Sequence, residues 1–294
     1  MLVALLLAPL QAVFAQEDVV VQDLEAYLDS TVSIVAWFYK TDTLVYDSYS
    51  LEGHIEGNDT ITDSSVRTRF EVCVADSTKK GYRLAFKTQE YEPSDTTSFR
   101  GKTLQLMGQS NQGAKMIVQT NEVGQPQKIE NFRELKKKIS DNLTVYARKM
   151  YEDNPSLYTQ ISQPELEKQL KKALEERYGS SEQMLEESYA GLLLLMHGQQ
   201  FEVGEDDVEA DGQRIHIEAS KGKTGDEAYD FDDDYQLYMR IETVAPGSVQ
   251  QTIHYSYSYF PDGWPKEVVI TTMTPNGESR TELSQMHIVW VSKN

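Results

Sequence analysis

Residues 66–75 read VRTRFEVCVA, a stretch in which two kinds of side chain alternate. The even-numbered positions are apolar or β-branched, and three of the five odd-numbered positions are charged. Because successive side chains of a β-strand point to opposite faces, this pattern predicts a half-buried strand. The same alternation recurs at Tyr82–Phe86 and at Tyr255–Tyr259. Both ends of the chain are therefore predicted to form antiparallel β-structure.

The middle of the chain has helical periodicity instead. Apolar residues recur three or four positions apart over Phe132–Met150, which places them on one helix face. The segment Ser162–Glu165 has the form of a capping box with proline in the first turn, and it predicts a second helix that ends at Gly179. A third helix is predicted from about Ser181 to Gly198.

These patterns predict an α+β fold in which antiparallel β-sheet blocks flank a central three-helix segment. A strongly curved sheet covered by helices is one form that this fold could take. The divisions are a signal peptide over 1–15, an N-terminal β-rich block over 16–130, a helical segment over 131–198 and a C-terminal β-rich block over 199–294. Periodicity leaves open whether the two β blocks share one sheet.

Composition excludes several classes of protein. The chain has 294 residues, with 47 Asp and Glu, 28 Lys and Arg, and one cysteine. The net charge of −19 argues against nucleic acid as a partner and against electrostatic docking on anionic lipids. A single cysteine cannot form an internal disulfide or a cysteine-cluster zinc site.

The N-terminus predicts export. Leu2–Ala15 is apolar and uncharged, but it is shorter than the roughly 20 residues that span a bilayer. It ends in Val13-Phe14-Ala15, a spacing of small residues that signal peptidase accepts. We therefore expect a soluble periplasmic or secreted protein with no transmembrane segment in the mature chain. Because the residue directly after the cleavage position, Gln16, is not a cysteine, we expect no lipid anchor.

One acidic segment matches the spacing of a calcium loop. Asp207, Glu209 and Asp211 occupy its first, third and fifth positions, Gly212 the sixth and Glu218 the twelfth. Asp207, Glu209, Asp211 and Glu218 are therefore candidate calcium ligands. The residues after Gly212 alternate like a strand, so Asp211-Gly212 also predicts a two-residue hairpin turn. The pattern favours the hairpin.

A row of aromatic residues provides the candidate ligand site. Tyr255, Tyr257 and Tyr259 share one strand face, and Trp264 follows in a turn. Such rings can line a cleft for a hydrophobic or amphipathic ligand. They can equally pack beneath helices, with Trp264 covering a sheet edge, and the pattern favours this packing.

Motifs of enzymes and cofactor sites do not occur in the sequence. It has no nucleophile elbow, phosphate-binding loop or dinucleotide fingerprint, and we expect no cofactor. The leading hypothesis is a non-enzymatic exported protein that binds a small hydrophobic or amphipathic ligand. One alternative is an exported hydrolase that uses paired carboxylates, and another is an envelope protein that binds a partner protein.

Two turn regions carry a family resemblance. Asn121-Glu122-Val123-Gly124 leads to Ile129-Glu130-Asn131, and Asp262-Gly263-Trp264-Pro265 precedes Val268-Val269-Ile270. With the signal-like start, the chain resembles uncharacterised β-rich secreted and periplasmic proteins of Gram-negative bacterial envelopes. It bears a weaker resemblance to the outer-membrane lipoprotein carriers. That second resemblance implies a curved antiparallel sheet closed by helices around an acyl-chain cavity.

Overall fold

A computed structural model describes residues 30–153, 161–222, 234–245, 247–277 and 280–293. The predicted signal peptide at Leu2–Ala15 lies outside these ranges, so export stays a prediction. Within the described ranges, no helix combines the length and the apolar character needed to cross a membrane.

The described part of the chain contains thirteen strands and five helices. The strands are β1 (Thr31–Ser33), β2 (Thr43–Glu56), β3 (Asp59–Thr78), β4 (Gly81–Pro93), β5 (Lys115–Thr120), β6 (Pro126–Ile129), β7 (Gln200–Glu202), β8 (Gly204–Ala210), β9 (Gln213–Gly222), β10 (Asp234–Thr243), β11 (Thr252–Tyr259), β12 (Pro265–Pro275) and β13 (Arg280–Lys293). The helices are α1 (Phe99–Asn111), α2 (Phe132–Asp153), α3 (Gln163–Arg177), α4 (Ser181–Glu186) and α5 (Tyr189–Leu193).

Eleven strands form one antiparallel sheet. Their order is β6-β5-β4-β3-β2-β13-β12-β11-β10-β9-β8, and β1 pairs separately with β7. All neighbours in the large sheet are consecutive strands except β2 and β13, where Leu51 lies opposite Gln285. This one long-range pairing joins the N-terminal and C-terminal β-rich blocks into a continuous sheet.

The predicted fold class is wrong. Strands make up 51% of the described residues and helices 25%, and one large sheet dominates. The structure is neither an α+β layout with a central three-helix segment nor a strongly curved sheet. The cause is that side-chain periodicity indicates the type of a single element but carries no information on which strands pair.

The first helix lies where only β-structure was predicted. Ser98 caps α1, and its Oγ accepts a hydrogen bond from Gly101 N at 3.0 Å. Leu104 and Leu106 lie two positions apart, so this helix lacks the apolar spacing that identified α2. A helix with no amphipathic stripe gives no periodic signal.

The predicted third helix is two short helices. α4 ends at Glu186, and Ser188 begins a new helix by accepting a hydrogen bond from Gly191 N at 3.2 Å. A serine side chain can accept a hydrogen bond from a nearby backbone N–H group in place of a helical carbonyl. The cap at Ser188 therefore starts a new helix within the run of regularly spaced apolar residues from which one helix was predicted. The predicted helices over Phe132–Met150 and after Ser162 are confirmed as α2 and α3.

The helices pack on one face of the sheet, and the core lies between them. On β3, Phe70, Val72 and Val74 are buried in this core, as the alternation predicts. Arg67 and Arg69 lie on the opposite face, where both bind Asp47. A ligand enclosed between the sheet and the helices would therefore lie on the face of β3 that carries Phe70, Val72 and Val74.

Candidate functional site

A cavity of about 1120 Å³ lies between the sheet and the helices. Small-molecule sites in proteins have volumes of about 300–1,000 Å³, so this cavity has room for a complete organic ligand. The sheet side is formed by β2, β3, β4, β5 and β13, and the helical side by residues of all five helices. The sheet side includes Ser50, Val66, Thr68, Phe70, Phe86, Thr88, Tyr91, Met116 and Met286, and the helical side includes Leu104, Gly108, Leu135, Ile139, Ala173, Arg177, Met184, Tyr189 and Leu192.

The inner wall of the cavity is mostly apolar. Its buried apolar members are Phe70, Phe86, Ala114, Leu135, Ile139, Met184 and Leu192, and the buried Thr68 adds a hydroxyl group. A ligand in the cavity would also cover partly exposed apolar side chains such as Val66, Met116 and Met286. Removing their surface from water stabilises a complex by roughly 25 cal/mol per Å² before the costs of association. The inner wall therefore favours a hydrocarbon chain or ring.

Stacked rings form part of this wall. Phe70 stacks on Tyr189 with ring centroids 4.2 Å apart, and on its other side it stacks on Tyr46 at 5.5 Å. Tyr46 donates a hydrogen bond to Pro265 O at 2.9 Å, which ties the stack to β12. Burial raises the pKa of Tyr189, so its hydroxyl keeps its proton at neutral pH. The stack fixes α5 against β3 at one side of the cavity.

A glycine determines how closely the first helix approaches the sheet. A Cβ atom on Gly108 of α1 would lie 2.0 Å from Cδ1 of Tyr91 on β4. The Tyr91 ring therefore packs directly on the helix backbone, and both residues line the cavity. Burial, and secondarily the nearby Tyr189, raises the pKa of Tyr91 to about 12.

The charged residues of the cavity lie towards solvent. Glu52, Lys87, Glu176 and Arg177 line it and are exposed, and Glu187 is partly buried. Arg177 Nε donates to Glu187 Oε2 at 3.0 Å. An apolar interior with a charged rim is the arrangement expected for a ligand that has an apolar body and a polar end.

The predicted aromatic site residues lie in the packed core. Tyr255, Tyr257, Tyr259 and Trp264 are each at most 1% exposed, and none of them lines the cavity. Tyr257 donates a hydrogen bond to Leu192 O at 3.1 Å, and Leu192 does line the cavity. The tyrosine row therefore lies behind the cavity wall, where it supports α5.

The candidate calcium segment forms a hairpin between β8 and β9. Asp211 and Gly212 make the turn, with φ of 49° and 75°. Asp207 Oδ1 lies 3.0 Å from His216 Nδ1, while Glu209 Oε1 accepts from Arg214 Nε at 3.1 Å. The fourth candidate, Glu218, lies opposite Glu205 on β8. Among the described residues, no three His, Cys, Asp or Glu side chains form a group that could hold a metal ion.

The two alternative functions each have one relevant observation. Burial, and secondarily Glu187, raises the pKa of the Glu186 carboxyl, but Glu186 does not line the cavity. The hydrolase alternative thus gains no raised-pKa carboxyl at this site.

Trp37 and Tyr39, in the segment before β2, are 65% and 68% exposed and do not line the cavity. This aromatic pair is a surface feature that a partner-binding protein could use.

The cavity residues come from many separated segments, so sequence reasoning missed them. One signal was nevertheless available on the covered face of β2 and β3, where Ser50, Ser64 and Thr68 stand at cavity positions. A strand that packs tightly against helices normally carries large apolar residues there. Small hydroxyl residues at inward positions leave space between the layers.

Comparisons with known proteins give a distant structural likeness. No protein-family model and no curated protein matches the chain. The fold is similar to a solved structure described as "Lipid-protein interactions in lipovitellin", with a TM-score of 0.47 and 9% sequence identity. The match covers 87% of this chain but 26% of that one, so this chain spans about a quarter of its neighbour's length.

Proposed function

We propose that this protein is a non-enzymatic binding protein for a small hydrophobic or amphipathic molecule. The observation that carries the proposal is the cavity of about 1120 Å³ between the sheet and the helices. Its buried apolar wall would cover the hydrocarbon part of the ligand, and its exposed charged rim would leave a polar end in contact with water.

The packing around the cavity supports this proposal. Protein interiors are normally close-packed, and voids larger than a few water molecules are rare. Here the layers are held apart by fixed contacts, because Phe70 stacks on Tyr189 at one side and Tyr91 packs on Gly108 at another. A space that rigid contacts keep open is preorganised, which reduces the ordering cost of binding.

A fluorescent apolar probe tests the proposal. N-phenyl-1-naphthylamine gains fluorescence when it leaves water, and we expect it to bind the protein saturably at one site. Ala173 lines the cavity from the exposed side of α3, so Ala173→Trp should fill part of the space and weaken binding at least tenfold. Lys172→Trp is the matched control, because Lys172 is exposed on the same helix and does not line the cavity.

Two results would overturn the proposal. One is the absence of saturable probe binding by the folded wild-type protein. The other is equal binding by the Ala173→Trp and Lys172→Trp variants, which would place the probe elsewhere. Native mass spectrometry of protein purified from its own cells, before and after extraction with organic solvent, is the independent measurement. We expect an extractable small molecule in a one-to-one complex.

A further inference from the structure

Arg177 lies at the rim of the cavity as the last residue of α3. Its side chain is 46% exposed, its guanidinium carbon lies 5.3 Å from the centre of the Tyr178 ring, and its Nε donates to Glu187 at 3.0 Å. In the described part of the chain, Glu187 is its one ion-pair partner. An arginine has five N–H donors in a planar fork, and the bond from Nε uses one of them.

Three tyrosines that line the cavity interact electrostatically with this guanidinium. Its positive charge acts on the phenols of Tyr91, Tyr178 and Tyr189, partly opposing the effect of burial, which raises the pKa of each. All three phenols are therefore protonated at neutral pH. Phenol O–H groups beside a guanidinium can stabilise a negative charge, and the aromatic rings continue into the apolar wall.

The two acidic residues of the cavity next to Arg177, Glu187 and Glu176, are each paired with a cation. Glu187 binds Arg177, and Glu176 lies 3.4 Å from Lys172 on the same helix. Glu187 is more buried than Arg177, with 14% of its side chain exposed against 46%. Arg177 is thus the more exposed member of this ion pair, and its side chain lines the cavity.

We propose that the cavity takes a single-chain amphiphile with an anionic head, a carboxylate or a phosphate, and that Arg177 binds this head. The inference rests on the proposed function and specifies the class of ligand. The hydrocarbon chain lies along Phe86, Ile139 and Leu192, and the head stays at the rim beside Arg177. Both head groups match the planar fork of arginine, which binds them through two parallel hydrogen bonds.

Displacement of the naphthylamine probe by three amphiphiles of equal chain length tests this inference. Dodecanoate and dodecyl phosphate carry the two anionic heads, and 1-dodecanol carries a neutral one. We expect the wild-type protein to bind at least one anionic amphiphile tenfold or more tightly than the alcohol. The reason is that a hydrogen bond to a charged group contributes more free energy than a hydrogen bond between neutral groups. The better of the two anions identifies the head.

Charge variants of Arg177 locate the effect. Arg177→Gln should reduce the preference for the anion to less than threefold, and Arg177→Lys should keep part of it, because lysine retains the charge without the fork. Arg148→Gln is the matched control: Arg148 pairs with Glu167 at 2.8 Å and does not line the cavity. This control should keep the full preference.

The outcomes separate the inference from the proposed function. If wild-type protein binds dodecanol as tightly as both anions, the inference is wrong and the binding function stands. Equal loss of preference in Arg177→Gln and Arg148→Gln would also overturn it, because the effect would then be general electrostatics. Failure of the probe itself to bind would contradict the proposed function. The wild-type comparison needs no variant, so a folding defect in Arg177→Gln leaves the test intact.

Discussion

Phe70 on β3 and Tyr189 on α5 stack with their ring planes 6° apart and their centroids separated by 4.2 Å. The two residues are more than a hundred positions apart in the chain, and each lines the cavity. The stack thus connects the sheet to a helix of only five residues, which has little intrinsic stability of its own. The position of α5 depends on this contact and on the bond from Tyr257 to Leu192 O.

Replacing Tyr189 should separate the contribution of the ring from that of the hydroxyl. Tyr189→Phe keeps the stack but removes the polar interactions of the hydroxyl with the Thr68 and Ser48 side chains, and should lower the free energy of unfolding by about 1 kcal/mol. Tyr189→Leu also removes the stack and should cost about 1 kcal/mol more. Urea unfolding followed by circular dichroism measures both. Equal values for the two variants would show that the stack contributes nothing.

On the uncovered face of the sheet, Asp47 should contribute strongly to stability. Arg69 donates to its two carboxylate oxygens from Nε and Nη2, each at 2.8 Å, and Arg67 Nη2 adds a third contact at 3.1 Å. Asp47→Asn removes the charge from these bonds and should lower the free energy of unfolding by about 2 kcal/mol at pH 7. Asp76→Asn, which breaks the exposed pair with Lys40, is the control and should leave the unfolding midpoint unchanged.

The pH dependence of this contribution has a definite sign. The hydrogen bond from Arg69, followed by that from Arg67, lowers the pKa of the Asp47 carboxyl in the folded protein. A lowered folded pKa means that the stabilisation is present above the unfolded pKa, near 4, and is lost as the pH falls through the folded value. The difference between wild type and Asp47→Asn should therefore shrink only in strong acid. A difference that already disappears at pH 6 would contradict this assignment.

His197 should make the protein less stable in weak acid. It is fully buried, its Nε2 lies 3.0 Å from Gly263 O, and burial lowers its pKa to about 4 from 6.5. The unfolded chain therefore binds this proton more tightly than the folded one, and stability falls as the pH drops from 6.5 towards 4. Between pH 7 and pH 5 this one group should cost about 2 kcal/mol.

A variant without the imidazole isolates this effect. His197→Phe should be less stable than wild type at pH 7, because it leaves Gly263 O without its partner. Its loss of stability between pH 7 and pH 5 should nevertheless be smaller than that of wild type by about 2 kcal/mol. Urea unfolding at the two pH values gives both numbers. Parallel losses in the two proteins would mean that another group titrates.

Two glycines with left-handed backbones should respond differently to alanine. Gly263 has φ of 82°, and a Cβ there would lie 2.3 Å from Val35 O. Gly57 has φ of 64° in open space, so Gly57→Ala adds only backbone strain, about 1 kcal/mol. Gly263→Ala introduces similar backbone strain and, in addition, a steric overlap of the new Cβ with the backbone of Val35. It should therefore lower the free energy of unfolding by about 3 kcal/mol or more. Thermal unfolding compares the two, and equal shifts in Tm would contradict the overlap.

Local elements of this fold were predictable from sequence. The alternation at Val66–Val74 identified β3, and the sequence Ser162–Glu165 identified the start of α3, although the Ser162 side chain makes no capping hydrogen bond. Asp211-Gly212 also identified its hairpin, because a turn with positive φ at both residues selects for these side chains. Each of these signals depends on neighbours within a few positions, which is the range over which periodicity and turn chemistry act.

Arrangements that depend on distant residues were not predictable in this way. No property of Leu51 indicates that it lies opposite Gln285, so the single large sheet could not be derived. The candidate site shares this limit, since Phe70, Gly108 and Leu192 meet only after the helices pack. The row Tyr255–Tyr259 had a clear local pattern, and the fold placed it within the core.

The pairing of β2 with β13 also governs the order in which the protein can be completed. Strands β2 to β6 and strands β8 to β13 are two successive meanders, each able to form from contacts close in the chain. Until β13 has emerged from the ribosome and met β2, each meander has a long unpaired edge at what becomes the middle of the sheet. Pairing of β2 with β13 brings together residues that are far apart in the sequence, so we infer that it is the slow step of folding. A chaperone that shields the edge of β2 would act at the stage when the chain is most prone to aggregate.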